Sequence, residues 1–153
     1  MAVSPNTNFT AGAILTAAQQ NNFPRGVMGY VVRSSGNVTV GTSLADVTGA
    51  SVAFTAVANR AYKVTFSALI TKSSTAGYFN WFITDGANVV QNDGFMDIVL
   101  GKTITFTTNY VVTGLAAGAQ TLKMRAVTDT AGMTIYATGT NKYTFIVEDI
   151  GPI

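Results

Sequence analysis

The residues best suited to chemistry are a group of carboxylates and amides between positions 85 and 97. Asp85, Asp93 and Asp97 are separated by Asn88 and Asn92, and oxygen atoms of these types are the ligands that Ca²⁺ prefers. The spacing differs from that of an EF-hand, and Asp-Gly and Asn-Asp-Gly are turn formers in their own right. We therefore interpret the group as turns, and the sequence predicts no metal and no cofactor.

Composition argues against most enzyme chemistry. The 153 residues include no cysteine and no histidine, which removes thiolate nucleophiles, the commonest general base and the commonest nitrogen ligand for metals. Glu148 and Asp149 form a carboxylate pair of the type that hydrolyses glycosides. Because adjacent residues of a strand point to opposite faces, we expect this pair to be inactive. The protein is predicted not to be an enzyme, and a hydrolase is the least favoured function.

Aromatic residues offer flat apolar surfaces of the kind that stack on sugars. Tyr78, Trp81 and Phe82 lie close together in one predicted strand. Trp81 alternates with Phe79 and Ile83, so we interpret it as a core residue. Phe82 lies on the opposite face and is the better candidate for an exposed or interfacial ring.

The charged residues are few and dispersed. Nine basic and seven acidic residues give a formal net charge of +2, without the clustering that a nucleic-acid interface needs. We expect Arg60, Lys63, Lys123 and Arg125 on solvated faces. The mean hydropathy of +0.32 is high, but polar residues interrupt every apolar run, so no membrane insertion is predicted. The apolar excess instead favours an additional buried surface between subunits.

The elements that must position these residues are β-strands. Alternation of period two predicts strands at residues 27–32, 38–40, 52–55, 62–71, 78–84, 89–90, 95–100, 103–113, 122–127, 133–137 and 143–148. We expect 103–127 to form a hairpin around the turn from Gly114 to Gly118. About ten short strands predict an all-β fold, an antiparallel two-sheet β-sandwich of jelly-roll type.

The first 24 residues differ from the rest, because they contain no charged side chain. Thr16 and Gln19 fit a capping box, and Pro24 must end the helix that they begin. We therefore predict an N-terminal arm with a short helix at 1–24 and a sandwich head at 25–153. Removing the arm should cost the head little stability. Four apolar residues are predicted to dock the arm on a partner: Phe9, Ile14, Leu15 and Phe23.

Polar loops on a rigid sandwich are where binding usually occurs. The segments 72–77, 85–88 and 92–94 read as such loops. The candidate receptor contacts on or beside them are Ser74, Tyr78, Asp85, Asn88, Asn92 and Asp93.

Short segments at both chain ends resemble tail and fibre structural proteins of double-stranded DNA bacteriophages. They are GAILTAAQQNN at 12–22, PRG at 24–26 and VEDIGP at 147–152. The segments ANRAYK at 58–63 and LAAGAQTL at 115–122 are similar to the jelly-roll heads of such proteins. The resemblance covers most of the chain, and it leaves open whether the protein belongs to the tail or to the capsid.

The resemblance implies a non-enzymatic virion protein, for example a minor tail, fibre or capsid-decoration protein. Such proteins are usually homotrimers whose N-terminal arm binds other virion proteins while the head faces outward, where a host-surface glycan is a candidate partner. The first residues lack the features of a secretory signal, so we expect synthesis in the host cytoplasm. The alternative function is a stand-alone carbohydrate-binding module.

Overall fold

The computed structural model describes residue 14, residues 16–21 and residues 23–153. The elements are one helix, α1 Ala17–Asn21, and ten strands: β1 Gly26–Arg33, β2 Val38–Val40, β3 Ala45–Ala56, β4 Arg60–Lys72, β5 Gly77–Asp85, β6 Val90–Ile98, β7 Thr103–Val112, β8 Gly118–Thr128, β9 Met133–Ile135 and β10 Tyr143–Pro152. The short helix ahead of Pro24 is as predicted. Phe9 and Leu15 lie outside the described residues.

The strands form two antiparallel sheets. A six-stranded sheet has the order β1-β10-β4-β9-β2, with β7 paired to β4, and a four-stranded sheet has the order β3-β8-β5-β6. Because β10 and β7 both pair with residues 62–67 of β4, they lie on its two edges. The long strands therefore follow the order of a jelly roll. The predicted all-β, two-sheet sandwich is confirmed.

The core lies between the two sheets and is built by alternation. The residues of β4 predicted to share one face are each at most 3% exposed: Tyr62, Val64, Phe66, Ala68 and Ile70. The Phe66 ring packs 5.7 Å from Tyr143 and 6.1 Å from Phe106, measured between ring centroids. Full burial of a side chain of this size stabilises the fold by about 1.5–3 kcal/mol.

The predicted hairpin at 103–127 is wrong in its pairing, although both of its strands exist. β7 pairs with β4 in one sheet, whereas β8 pairs with β3 and β5 in the other. The connection crosses from sheet to sheet, and Gly114 and Gly118 adopt positive φ angles of 76° and 112° within it. Five extended residues can span about 16 Å, which is enough for two sheets about 10 Å apart. Alternation is the same in both sheets, so it carries no information on pairing.

The predicted turn at 92–94 is also wrong, because these residues lie inside β6 and pair with β5. Gly94 lies opposite Trp81, and a Cβ atom at Gly94 would come within 2.6 Å of the indole and 3.0 Å of the Tyr110 hydroxyl. The glycine makes room for the ring. Asn92 and Asp93 are therefore strand residues and not loop residues.

Candidate functional site

The arm meets the head at a buried ion pair. Arg60, the first residue of β4, is 3% exposed, and its Nε and Nη2 atoms donate to the Asp149 carboxylate at 2.5 and 2.7 Å. The expectation of a solvated Arg60 is wrong, because this residue shares the inward face of β4 with Tyr62. By contrast, Lys63 on the outward face is 42% exposed, and its Nζ lies 3.4 Å from Glu148.

Two carbonyl groups of the arm accept further hydrogen bonds from the buried guanidinium. Arg60 donates from Nη1 to the Asn21 carbonyl at 2.7 Å and from Nη2 to the Phe23 carbonyl at 2.6 Å. Asp149 Oδ1 also accepts from the Gly151 N–H at 3.0 Å. A buried ion pair is tolerated only when its remaining donors and acceptors are satisfied. The last residues of the arm are thus part of the structure of the head, and the arm leaves the sandwich at this point, which we call the arm end.

The described apolar residues of the predicted docking group are accessible. Ile14 is 92% exposed and Phe23 is 37% exposed. The Phe23 carbonyl accepts a hydrogen bond from Arg60, and the residue as a whole remains partly accessible. Both side chains are therefore placed where a partner surface could cover them.

The three predicted receptor loops do not form one surface. The segment 73–76 joins β4 to β5 at the end opposite the arm, the distal end, where the Ser74 hydroxyl donates to the Ala131 carbonyl. Asp85 lies at the other end of nine-residue β5, about 27 Å away at 3.4 Å per residue. There its Oδ1 accepts from the Ala87 and Val89 N–H groups at 2.9 Å. Asn88, with a φ of 68°, completes the predicted turn.

Lys72, predicted to begin the polar loop 72–77, is instead the last residue of β4 and is fully buried at the distal end. Its Nζ donates to Thr128 Oγ1 and the Thr130 carbonyl, each at 2.6 Å, and lies 3.6 Å from the Asp129 carboxylate. Desolvation raises the pKa of Asp129, but the charge of Lys72 and hydrogen bonds from Thr130 and the Tyr78 N–H together lower it below the ordinary value of 3.8. The burial of Lys72 could have been predicted from the alternation of β4, because this residue lies on the same face as the buried Ile70.

Six side chains on the outside of the four-stranded sheet form a continuous surface, the outer aromatic strip. They are Tyr78, Asn80 and Phe82 of β5, paired with Asp97, Phe95 and Asp93 of β6. Phe95 is 70% exposed and Tyr78 38% exposed. Phe82 lies on the face opposite the buried Trp81, as predicted, but it is half-buried and not exposed. The sequence predicted Phe95 as the first residue of a strand at 95–100, whereas it lies in the middle of β6 and pairs with Asn80.

The basic residues on this face are paired with a carboxylate, whereas two of its acidic residues are not. Lys123 Nζ and Arg125 Nε each lie 2.9 Å from the Asp46 carboxylate, so both cations already have a counter-ion. Asp93 and Asp97 are exposed, and in the described part of the chain neither carboxylate has a cation within 4.0 Å. The outer aromatic strip therefore carries uncompensated negative charge along one edge.

The acidic side chains of the described residues do not gather into a metal-binding cluster. No three histidine, cysteine, aspartate or glutamate side chains of residues 14, 16–21 and 23–153 come together in a way that could hold a metal ion. Asp149 is buried against Arg60, and Glu148 faces outward beside Lys63. The two carboxylates therefore share no cleft.

The fold and these surfaces define a jelly-roll β-sandwich with an arm fixed at one end and an aromatic strip on one sheet. No protein-family model matches the sequence, and no curated protein matches it. In the part of the chain that the structure describes, no helix has the length and apolar character needed to cross a membrane.

Proposed function

We propose that this protein is a non-enzymatic structural component of a tailed bacteriophage virion. The arm docks on other virion proteins, and the sandwich projects from the particle. The observation that carries the proposal is the attachment of the arm at one end of the sandwich, with Ile14 92% exposed beyond it. The resemblance of the chain ends to tail and fibre proteins adds to it.

The attachment gives the head a direction. Arg60 binds two successive parts of the arm, Asn21 and Phe23, so the arm cannot swing freely about the sandwich at this point. A particle that captures the arm holds the arm end close and leaves the distal end outermost. The outer aromatic strip runs between the two ends and stays accessible from the side.

The proposed assembly is a homotrimer. The outer face of β1 and β10 carries an apolar group in which Tyr30 is 67%, Val27 57% and Val32 47% exposed, and Tyr30 pairs with the half-buried Ile146. Closed symmetry lets identical copies cover such a group. A stable interface of this kind buries on the order of 1,000 Å² or more.

Docking can be tested with a single arm substitution. Ile14→Ser should retain the fold yet reduce incorporation into particles that lack the native protein by about tenfold or more, since full burial of this side chain is worth about 1.5–3 kcal/mol. The matched control is Val99→Ser, because Val99 is also exposed, at 64%, but follows β6 at the distal end, where the nearby Gly101 N–H donates to the Lys72 carbonyl. Equal incorporation of both variants and the native protein would contradict docking through this residue.

A further inference from the structure

We propose that the outer aromatic strip is a binding site for neutral glycans. The inference starts from Phe95, which is 70% exposed in the middle of a strand. On the same face it pairs with Asn80, and Tyr78 lies beside it at 38% exposed. Two neighbouring accessible rings on one rigid sheet form a flat apolar platform, and the apolar face of a pyranose ring stacks on such a surface.

The polar groups of the strip suit the edges of a sugar. Asp93 and Asp97 stand two residues on either side of Phe95 on the same face of β6, which places each about 7 Å from it along the strand. Carboxylates accept hydrogen bonds from hydroxyl groups. A pyranose stacked on the Phe95 ring would therefore present its hydroxyls to a carboxylate on each side.

The charge of the strip selects among glycans. The nearby cations, Lys123 and Arg125, are bound to Asp46, while Asp93 and Asp97 have no counter-ion among the described residues. A sialic acid or uronic acid would bring a further negative charge next to these two carboxylates, and like charges repel. Complementarity thus favours neutral hexoses and N-acetylhexosamines over acidic sugars.

Contacts on the inner side of β6 hold the backbone that carries Phe95. Trp81 fills the space over Gly94, and the Tyr110 hydroxyl donates to the Asp93 carbonyl at 2.8 Å. Both contacts fix the backbone of β6 directly beside Phe95, so little ordering is needed when a ligand binds. The inference goes beyond particle docking, because the strip lies on the sandwich and does not involve the arm.

The test uses the full chain on an array of neutral glycans and their sialylated or uronic-acid counterparts. We expect binding to neutral glycans, strengthened if several copies act together, and weak or no binding to acidic ones. Phe95→Ala should reduce binding by roughly tenfold or more, because a stacked ring is the anchor of such a site. Asp93→Asn with Asp97→Asn should narrow the difference between neutral and acidic glycans.

The matched control is Val99→Ala, since Val99 is 64% exposed and lies beyond the strip; it should bind as the native protein does. Absence of glycan binding by the native protein, unchanged binding by Phe95→Ala, or a preference for acidic glycans would each overturn the inference. These outcomes are separate from particle docking. Glycan binding by a protein that never associates with virions would leave the site in place and support a stand-alone carbohydrate-binding module.

Discussion

Arg60 and Asp149, 89 positions apart in the chain, form a bidentate ion pair with almost no solvent exposure. Two further donors of the arginine bind the carbonyls of Asn21 and Phe23. This one side chain therefore joins β4, β10 and the end of the arm. Burying two charges is costly unless every polar atom finds a partner, so the position of the arm and the integrity of the sandwich edge are coupled.

Replacing the arginine should be severely destabilising. Arg60→Met leaves the Asp149 charge buried without its partner, and we expect the free energy of unfolding in urea to fall by about 3–5 kcal/mol. The control is Lys63→Met on the neighbouring outward position. Its pair with Glu148 is partly exposed, and such pairs contribute about 0–1 kcal/mol. Equal losses in the free energy of unfolding for the two substitutions would show that the buried pair stabilises the fold no more than the exposed one.

Two truncated chains test whether the end of the arm, with Asn21 and Phe23, stabilises the head. A chain beginning at Arg25 should still fold, but with a free energy of unfolding lower by about 2 kcal/mol, because two hydrogen bonds to a charged group are lost and water replaces them incompletely. A chain beginning at Ile14 keeps both carbonyls and should match the full-length protein. Chemical denaturation of the three proteins provides the measurement. Identical midpoints would restore the expectation that the arm adds nothing to the head.

The sequence located most of the strands, but not the full length of β3 and β6 and not the arrangement of the strands in the sheets. Alternation on β4 and β5 predicted the core correctly, because a residue's face depends only on its parity within a strand. Pairing depends on which sheet receives the strand after a short connection, and the Gly114 to Gly118 segment is compatible with a hairpin or with a crossing. Similarly, residues 92–94 are of turn-forming types, but pairing with β5 and the packing of Trp81 against Gly94 keep them extended.

For the candidate sites, too, the sequence indicated which face a residue occupies but not which residues it contacts. Arg60 and Lys72 are an even number of residues from Tyr62, so alternation along β4 would place both on its inward face. The sequence does not show, however, which residues would pair with a buried charge at these positions. Their partners, Asp149 and Thr128, come from distant strands. Phe95 became visible as a surface residue only when the register of β6 against β5 was known.

Gly94 offers a direct test of that packing. Gly94→Ala places a Cβ atom 2.6 Å from Trp81 Cζ2 and 2.9 Å from Cε2, and we expect it to lower the free energy of unfolding by about 1–3 kcal/mol. Gly86→Ala is the control, because its nearest neighbour, Thr121, would lie at an ordinary 3.5 Å. Thermal unfolding followed by circular dichroism compares them. A Gly94→Ala protein as stable as the control would mean that the indole can move aside.

The distal end should be sensitive to acid. The folded-state pKa of Asp129 is lowered, against the opposing effect of desolvation, by Lys72 and by hydrogen bonds from Thr130 and Tyr78. A carboxylate with a depressed pKa stabilises the fold above its unfolded pKa, and this contribution is lost as the pH falls through the folded value. Asp129→Asn should therefore be less stable than the native protein at pH 7, and the difference should disappear well below the ordinary pKa of 3.8. Melting temperatures across this range would show whether the difference instead stays constant.

The proposed trimer rests on the apolar group around Tyr30, and a charge placed there should disrupt it. Tyr30 is 67% exposed in the single chain, so Tyr30→Glu should leave the fold intact. In an assembly that covers this face, however, the glutamate would be buried without a partner, which is unfavourable by several kcal/mol. Light scattering after size exclusion should give three times the chain mass of 16.0 kDa for the native protein and a monomer for Tyr30→Glu. Val89→Glu, at a comparably exposed position in the turn between β5 and β6, should remain trimeric. A native protein that stays monomeric at all concentrations would contradict the proposed trimer. A trimeric Tyr30→Glu protein would show that the subunit interface does not include this face of β1.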